Sequence, residues 1–129
     1  MASPSIWQIA LVALGSAAGG VVRFLLSSLP HTVGGFPWAT FLINVGGSLL
    51  IGAVSGLVGR FCAGTSAGEI IRAVAIVGFC GGFTTFSTFS NDTFRMLSSG
   101  QWPQAVAYAF GSVVAGVTAV LIGSALTAR

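Results

Sequence analysis

Four long apolar stretches, separated by short polar breaks, constrain this chain more than any other feature of its 129 residues. They cover about residues 5–28, 38–59, 70–97 and 103–126. A bilayer core about 30 Å thick needs roughly 20 apolar helical residues, so each stretch is long enough to cross a membrane. Only 5% of the residues are charged, against about 25% in soluble domains. The sequence therefore predicts an all-α membrane protein, with residues 1–129 forming a single transmembrane domain and nothing left for a soluble one.

The distribution of arginine gives a weak indication of orientation. The N-terminus, the polar loop RFCAGTSAGEIIR and the C-terminus share one side, which holds Arg60, Arg72 and Arg129, whereas Arg23 and Arg95 lie toward the other. Three against two is a small bias under the positive-inside rule. A chain with so little bias can insert both ways, which permits an antiparallel dimer. The start of the chain lacks the positive n-region of a cleaved signal peptide, so we expect its first span to be retained.

Polar residues recur at helical spacing in three of the four spans. They are Thr40, Asn44 and Ser48 in the second, Thr84, Thr88, Asn91 and Arg95 in the third, and Tyr108 and Ser112, with Gly116 next in the row, in the fourth. Each set lies on one helix face. Hydrogen bonds between helices are one explanation, and a polar pathway is the other. No Asp, Glu, Lys or His occupies the centre of a span, which argues against a proton relay and against a cation pathway.

Two aromatic residues in the third span favour an anion. Phe86 and Phe89 are neighbours on a helix surface, and the edge of a phenyl ring is electropositive. The preceding Gly81-Gly82 pair, followed by Thr84 and Thr85, makes a poor continuous helix, so we expect this span to be broken near the glycines. A simple packing kink or a cation site made of freed carbonyls would each account for such a break.

The small-residue motifs GSAAG (15–19), GAVSG (52–56) and GFCGG (78–82) each place glycines four apart. Such spacing lets helix backbones approach closely. Packing within the chain is the simpler interpretation, and self-association is the alternative.

Other functional classes have little support. There is no basic run for nucleic acid, and Cys62 and Cys80 do not have metal-ligand spacing. His31, the only histidine, lies in a loop with no acid or thiol placed beside it as a catalytic set, so we do not predict an enzyme. A small dual-topology multidrug exporter would need a carboxylate in the first span, which has none. A structural membrane subunit, with the hydroxyls joining helices, stays open as an alternative.

The segments GFCGGFTTFSTFSNDTFRM, WATFLINVGGSLLIG and GGVVRF together resemble the Fluc (CrcB) family of fluoride channels over essentially the whole chain. The resemblance implies an antiparallel, dual-topology homodimer in the cell (inner) membrane. Two pores would let cytoplasmic fluoride leave passively, which lowers its toxicity.

The resemblance also implies roles for particular residues. The fluoride pore would be formed by Asn44, Phe86 and Phe89 with the polar residues Thr40, Ser87, Thr88, Tyr108 and Ser112. Arg23 would lie near the vestibule. The backbone carbonyls of Gly81 and Thr84, two from each subunit, would hold a structural Na⁺ at the centre of the dimer interface. One position departs from the pattern: some relatives carry a hydroxyl where this chain has Gly116, which interrupts the polar row of the last helix.

Overall fold

The computed structural model describes residues 4–28 and 32–128, and in these ranges four helical regions are long and apolar enough to cross a membrane. In chain order the elements are α1 (Ile6–Ser27), β1 (Thr32–Val33), β2 (Phe36–Pro37), α2 (Trp38–Phe61), α3 (Ser66–Ile71), a π-helical segment (Arg72–Cys80), α4 (Gly81–Phe83), α5 (Phe86–Ser98) and α6 (Trp102–Thr127). The third span is the composite Ser66–Ser98. The prediction of an all-helical protein with four spans is confirmed. The largest difference at a span boundary is at the start of the third span, which was predicted at residue 70 and lies at residue 66. His31 and Arg129 lie outside the described residues.

Local sequence signals explain where the spans begin. At the start of α1 the amide of Gln8 donates to Ser5 Oγ (3.3 Å), and the amide of Ser5 donates to Gln8 Oε1 (2.9 Å). This reciprocal cap satisfies two amides that a helix start leaves without intrahelical partners. The strands β1 and β2 pair antiparallel across Gly34 and Gly35, whose φ angles are 64° and 80°. Two consecutive positive φ angles fit a tight hairpin turn and require glycine-like residues.

Glycines bring α1 into backbone contact with the third span. A Cβ atom on Gly15 would collide with the carbonyl of Val74, and one on Gly19 would collide with the carbonyl of Phe79. The contact is reciprocal, because a Cβ on Gly82 would meet the backbone of Ser16. The motifs at 15–19 and 78–82 thus pack against each other within one chain.

Close contacts between glycines and the facing backbone also join α2 to α6. A Cβ on Gly52 would collide with the carbonyl of Val120, and one on Gly123 with the carbonyl of Leu49. Gly56 lies under Thr127, whose hydroxyl donates to the carbonyl of Ala53 at 2.9 Å. All three small-residue motifs therefore serve internal packing, as the simpler interpretation expected.

The third span departs from regular α-helix in two places. Over Arg72–Cys80 it is π-helical, and the amide of Gly81 still donates five residues back to the carbonyl of Ile76. Near the middle of the span, Thr84 (φ −77°, ψ 159°) and Thr85 (φ −150°, ψ 113°) have extended backbone. Gly81 itself is helical, with φ −62° and ψ −38°. The non-helical residues are thus the two threonines rather than the glycines that precede them.

A small aromatic core fixes α5 against α6 at the hairpin end. Met96, Ala105 and Tyr108 are buried, and Phe36, Phe41, Phe89 and Leu97 pack around them. Tyr108 is fully buried, with its ring edge-on to Phe36 at a centroid distance of 5.4 Å. This core sets the position of α5 immediately after the two extended threonines.

Candidate functional site

A groove of about 270 Å³ opens beside the two extended threonines. Its lining comes from α2, the third span and α6: Asn44, Ser48, Ile51, Thr84, Thr85, Phe86, Phe89, Ser112 and Val113. None of these lining residues carries a charge. The groove therefore brings together members of all three polar rows that the sequence indicated.

Asn44 makes two hydrogen bonds to the backbone of Thr85. The amide of Thr85 donates to Asn44 Oδ1 at 2.8 Å, and Asn44 Nδ2 donates to the carbonyl of Thr85 at 3.1 Å. The side-chain amide thus pairs with an extended residue much as a neighbouring strand would. One N–H of Asn44 Nδ2 is not used by these bonds, so the side chain can still donate to an ion in the groove.

Thr85 caps α5 with its own hydroxyl. The amide of Thr88 donates to Thr85 Oγ1 at 3.2 Å, while Thr85 Oγ1 donates to Thr88 Oγ1 at 3.0 Å. Ser87 Oγ lies 3.3 Å from the same hydroxyl. The sequence-based site prediction did not include Thr85. A Thr followed by a new run of helical residues is a typical N-cap signal, and that signal could have identified it.

The two predicted phenylalanines lie side by side on the groove. Their ring centroids are 5.7 Å apart with an interplanar angle of 42°. Phe89 is half-buried against Tyr108 (5.3 Å between centroids), whereas Phe86 is 78% exposed in the single chain. Ser87 and Thr88, between the two rings, are also exposed. This part of α5 thus presents aromatic and polar groups on an uncovered surface.

Ser112 contributes a hydroxyl that is buried and has no hydrogen-bond partner within the described residues. Ser48 Oγ lies on the same groove, and a Cβ on Gly116 would be only 3.4 Å from it. The hydroxyl of Ser48 therefore occupies the space beside Gly116. It supplies a polar group at the point where the row of the last helix is interrupted.

Thr40 and Tyr108 do not line the groove with Asn44. Thr40 Oγ1 donates to Asp92 Oδ2 at 2.8 Å, and Thr40 is buried. The Tyr108 hydroxyl is buried as well, beside Thr40 and Asp92. Sequence reasoning did not include Asp92 among the site residues, although its place one turn before Arg95 was visible. Asp92 and Arg95 line a second cavity of about 420 Å³, together with Gly35, Pro37, Met96, Ser99 and Gln101.

Arg23, the predicted vestibule residue, is half-buried on α1 and is absent from the lining of the groove and of the second cavity. The structure thus brings Asn44, Phe86, Phe89, Thr84 and Ser112 together around one groove. It places Thr40 and Tyr108 near the second cavity, and it leaves Arg23 apart.

The extended threonines release two carbonyls from helical bonding. In a continuous helix the amide of Thr85 would donate to Gly81 and the amide of Thr88 would donate to Thr84. These amides donate instead to Asn44 Oδ1 and Thr85 Oγ1. Gly81 is exposed in the single chain. Within the described residues, no cluster of three or more His, Cys, Asp or Glu side chains exists that could hold a metal ion.

Comparison with known proteins gives a consistent result over most of the chain. The family model described as "CrcB-like protein, Camphor Resistance (CrcB)" matches residues 10–124. A protein from Phocaeicola vulgatus named "Fluoride-specific ion channel FluC" is 41% identical over 118 residues, covering 90% of this chain and 94% of the relative. Proteins of the same name from Novosphingobium aromaticivorans and Nitrobacter winogradskyi are 45% and 46% identical, covering 88% and 91% of this chain and 90% and 93% of the relatives.

Proposed function

The chain belongs to the CrcB family, and on that premise we propose that it is a fluoride-selective channel of the membrane, not an enzyme. Fluoride moves passively down its electrochemical gradient, and its efflux from the cytoplasm lowers fluoride toxicity. The four spans make the protein a multi-pass membrane protein. Its location in the inner membrane is part of the proposal.

The observation that carries the proposal is the uncharged groove around the extended threonines. Asn44, Ser112, Phe86 and Phe89 all line this groove. Hydroxyl and amide donors, with electropositive ring edges, can replace the hydration shell of a small anion. A narrow passage of this kind would exclude the larger chloride ion by size.

The lining of the groove also argues against the two alternative functions, a multidrug exporter and a structural membrane subunit. Proton-coupled export of cationic drugs needs an acid in the pathway, but the groove lining has none. Of the two acids in the chain, Glu69 is exposed in α3 and Asp92 accepts a hydrogen bond from Thr40. A purely structural role gives no use to the Ser112 hydroxyl, which is buried without a partner among the described residues.

We further propose that two copies of the chain associate as an antiparallel homodimer with two pores. Polar residues on a membrane-spanning helix, and backbone carbonyls without partners, must be covered by protein or line a cavity. Ser87, Thr88, Ser90 and Asn91 are exposed on α5, and Gly81 is exposed just before it. A second copy in the opposite orientation would cover this surface, and the small charge bias between the two sides permits both orientations.

The Gly81 and Thr84 carbonyls fit a sodium ion in their chemistry. Carbonyl oxygens are hard ligands, and freed carbonyls at a helix break coordinate Na⁺ in membrane proteins. The amides that would have bonded them are bonded to side chains instead. When bound between two copies, Na⁺ would neutralise the negative ends of these dipoles and stabilise the interface.

The test is fluoride efflux from liposomes that hold the purified protein. Vesicles are loaded with the potassium salts of both fluoride and chloride. Valinomycin lets K⁺ leave with the anion, so that no membrane potential builds up against the flux. Fluoride release without chloride release is the expected result. No release from a folded dimer would overturn the channel proposal and return the polar rows to the role of joining helices.

A further inference from the structure

The sodium site of the proposed function depends on two carbonyls that an ordinary helix would not leave free. We infer that Asn44 and the Thr85 hydroxyl are the positioning residues that create this site, and the inference rests on the proposed function. Neither residue touches the ion. Each acts by capturing an amide that would otherwise bond one of the two carbonyls.

The first capture belongs to Asn44. Its Oδ1 accepts the Thr85 amide at 2.8 Å, and this amide is the one that would bond Gly81 in a continuous helix. The second bond, from Nδ2 to the Thr85 carbonyl at 3.1 Å, holds Thr85 in its extended conformation. Asn44 therefore competes directly with the Gly81 carbonyl for a single donor.

The second capture belongs to Thr85. Its Oγ1 accepts the Thr88 amide at 3.2 Å, and this amide is the one that would bond Thr84. Thr85 is 7% exposed, so water is poorly placed to replace the hydroxyl. Removing the hydroxyl frees the amide to bond the Thr84 carbonyl when Thr85 turns helical, as in a continuous helix.

This arrangement gives Asn44 a second role besides its contact with the groove. The same side chain lines the proposed fluoride pathway and keeps the Gly81 carbonyl available. The pathway and the ion site at the interface are thus joined through one residue. A substitution at Asn44 should weaken both.

The variants are Asn44→Leu and Thr85→Val, which keep approximate shape and remove the hydrogen-bonding groups. Valine keeps the β-branched shape of threonine and removes only the hydroxyl. The matched control is Thr93→Val, since Thr93 Oγ1 donates to the carbonyl of Phe89 on the same helix. That bond lies outside the segment that holds the two carbonyls.

The measurement is the melting temperature of each purified dimer as NaCl replaces N-methyl-D-glucamine chloride at constant ionic strength. We expect a saturable rise for the wild type and for Thr93→Val. In Asn44→Leu and Thr85→Val, half-maximal stabilisation should need roughly tenfold more Na⁺, because a backbone hydrogen bond must break before the ion binds. If Asn44→Leu does not fold, Thr85→Val decides the question.

Wild-type sodium dependence in both variants would overturn the inference. A wild-type protein that conducts fluoride but is not stabilised by Na⁺ would overturn it too, and the fluoride channel would stand. A sodium response that the variants lose, in a protein without fluoride flux, would support the inference while overturning the proposed channel.

Discussion

The hydroxyl of Thr40 on α2 donates a 2.8 Å hydrogen bond to the carboxylate of Asp92 on α5. Because that proton is committed to Asp92, Thr40 is not available as a donor to an anion at the same time. The bond joins two helices at the rim of the second cavity, which also contains Arg95. Thr40 is therefore better described, in the single chain, as a residue that holds α5 than as a member of the groove.

We expect the Thr40–Asp92 bond to contribute measurably to stability. Thr40→Val and Asp92→Ala should each lower the free energy of unfolding by about 1.5–3 kcal/mol, the usual range for a hydrogen bond to a charged group. A double-mutant cycle in detergent isolates the pairwise term. A coupling energy near zero would mean that the two residues act independently.

Phe86→Ile should lower fluoride flux with little change in stability. Phe86 is 78% exposed in the single chain, so its ring contributes little to the internal core. A loss of about 1.4 kcal/mol of ion stabilisation corresponds to a tenfold drop in rate. Liposome efflux gives the flux, and gel filtration checks the dimer.

Phe94→Ile is the control, because Phe94 is 66% exposed on the same helix but is absent from the groove lining. Unchanged flux in Phe86→Ile would remove the ring edge from the mechanism.

Gly19→Ala should destabilise the protein, whereas Gly20→Ala should not. A Cβ on Gly19 would collide with the carbonyl of Phe79, but a Cβ on Gly20 meets nothing within 4 Å. Overpacking of this kind costs about 1–3 kcal/mol, and alanine at an open helical position is neutral or favourable. Melting temperatures of the two variants provide the comparison. Equal values would show that α1 can shift away from the third span at no cost.

The sequence was sufficient to predict the four spans, because long apolar stretches leave a membrane protein few alternatives. It did not predict that Gly81 would stay helical or that Thr84 and Thr85 would be extended. Gly82 is held against the backbone of Ser16 on α1, and the partner that holds Thr85 extended is Asn44, 41 positions away. Neither contact can be read from local propensity. The π-helical segment likewise has no distinct local signal in its residues.

The polar rows were predictable from the sequence, because residues four apart lie on one helix face. Asn44, Ser112, Phe86 and Phe89 line one groove; spacing indicated the face that each occupies on its own helix, and the resemblance, not the spacing, predicted a shared site. Thr40 lies in the polar row of α2 and Tyr108 in that of α6, but spacing could not tell that Thr40 would bond Asp92. Which side chains of two helices bond each other depends on how each helix is rotated about its axis. The spacing within one row does not give that rotation.

Two hydroxyls on α6, those of Ser112 and Thr127, can distinguish a polar pathway from hydrogen bonds that only join helices. Thr127 Oγ1 donates to the carbonyl of Ala53 across the α2–α6 contact at 2.9 Å, whereas Ser112 Oγ is buried without a partner among the described residues. Thr127→Val should therefore lower stability by about 1 kcal/mol, the typical value for a hydrogen bond between membrane helices, and leave flux unchanged.

Ser112→Ala should do the reverse. It removes a buried hydroxyl that has no partner in the part of the chain that the structure describes, so stability should stay the same or rise, while fluoride flux falls because the groove lining loses a donor. Melting temperature and liposome efflux, measured on both variants, give the two comparisons. If Ser112→Ala lost stability and kept its flux, its hydroxyl would have a bonding partner in the assembled dimer, and the row on α6 would serve to join helices.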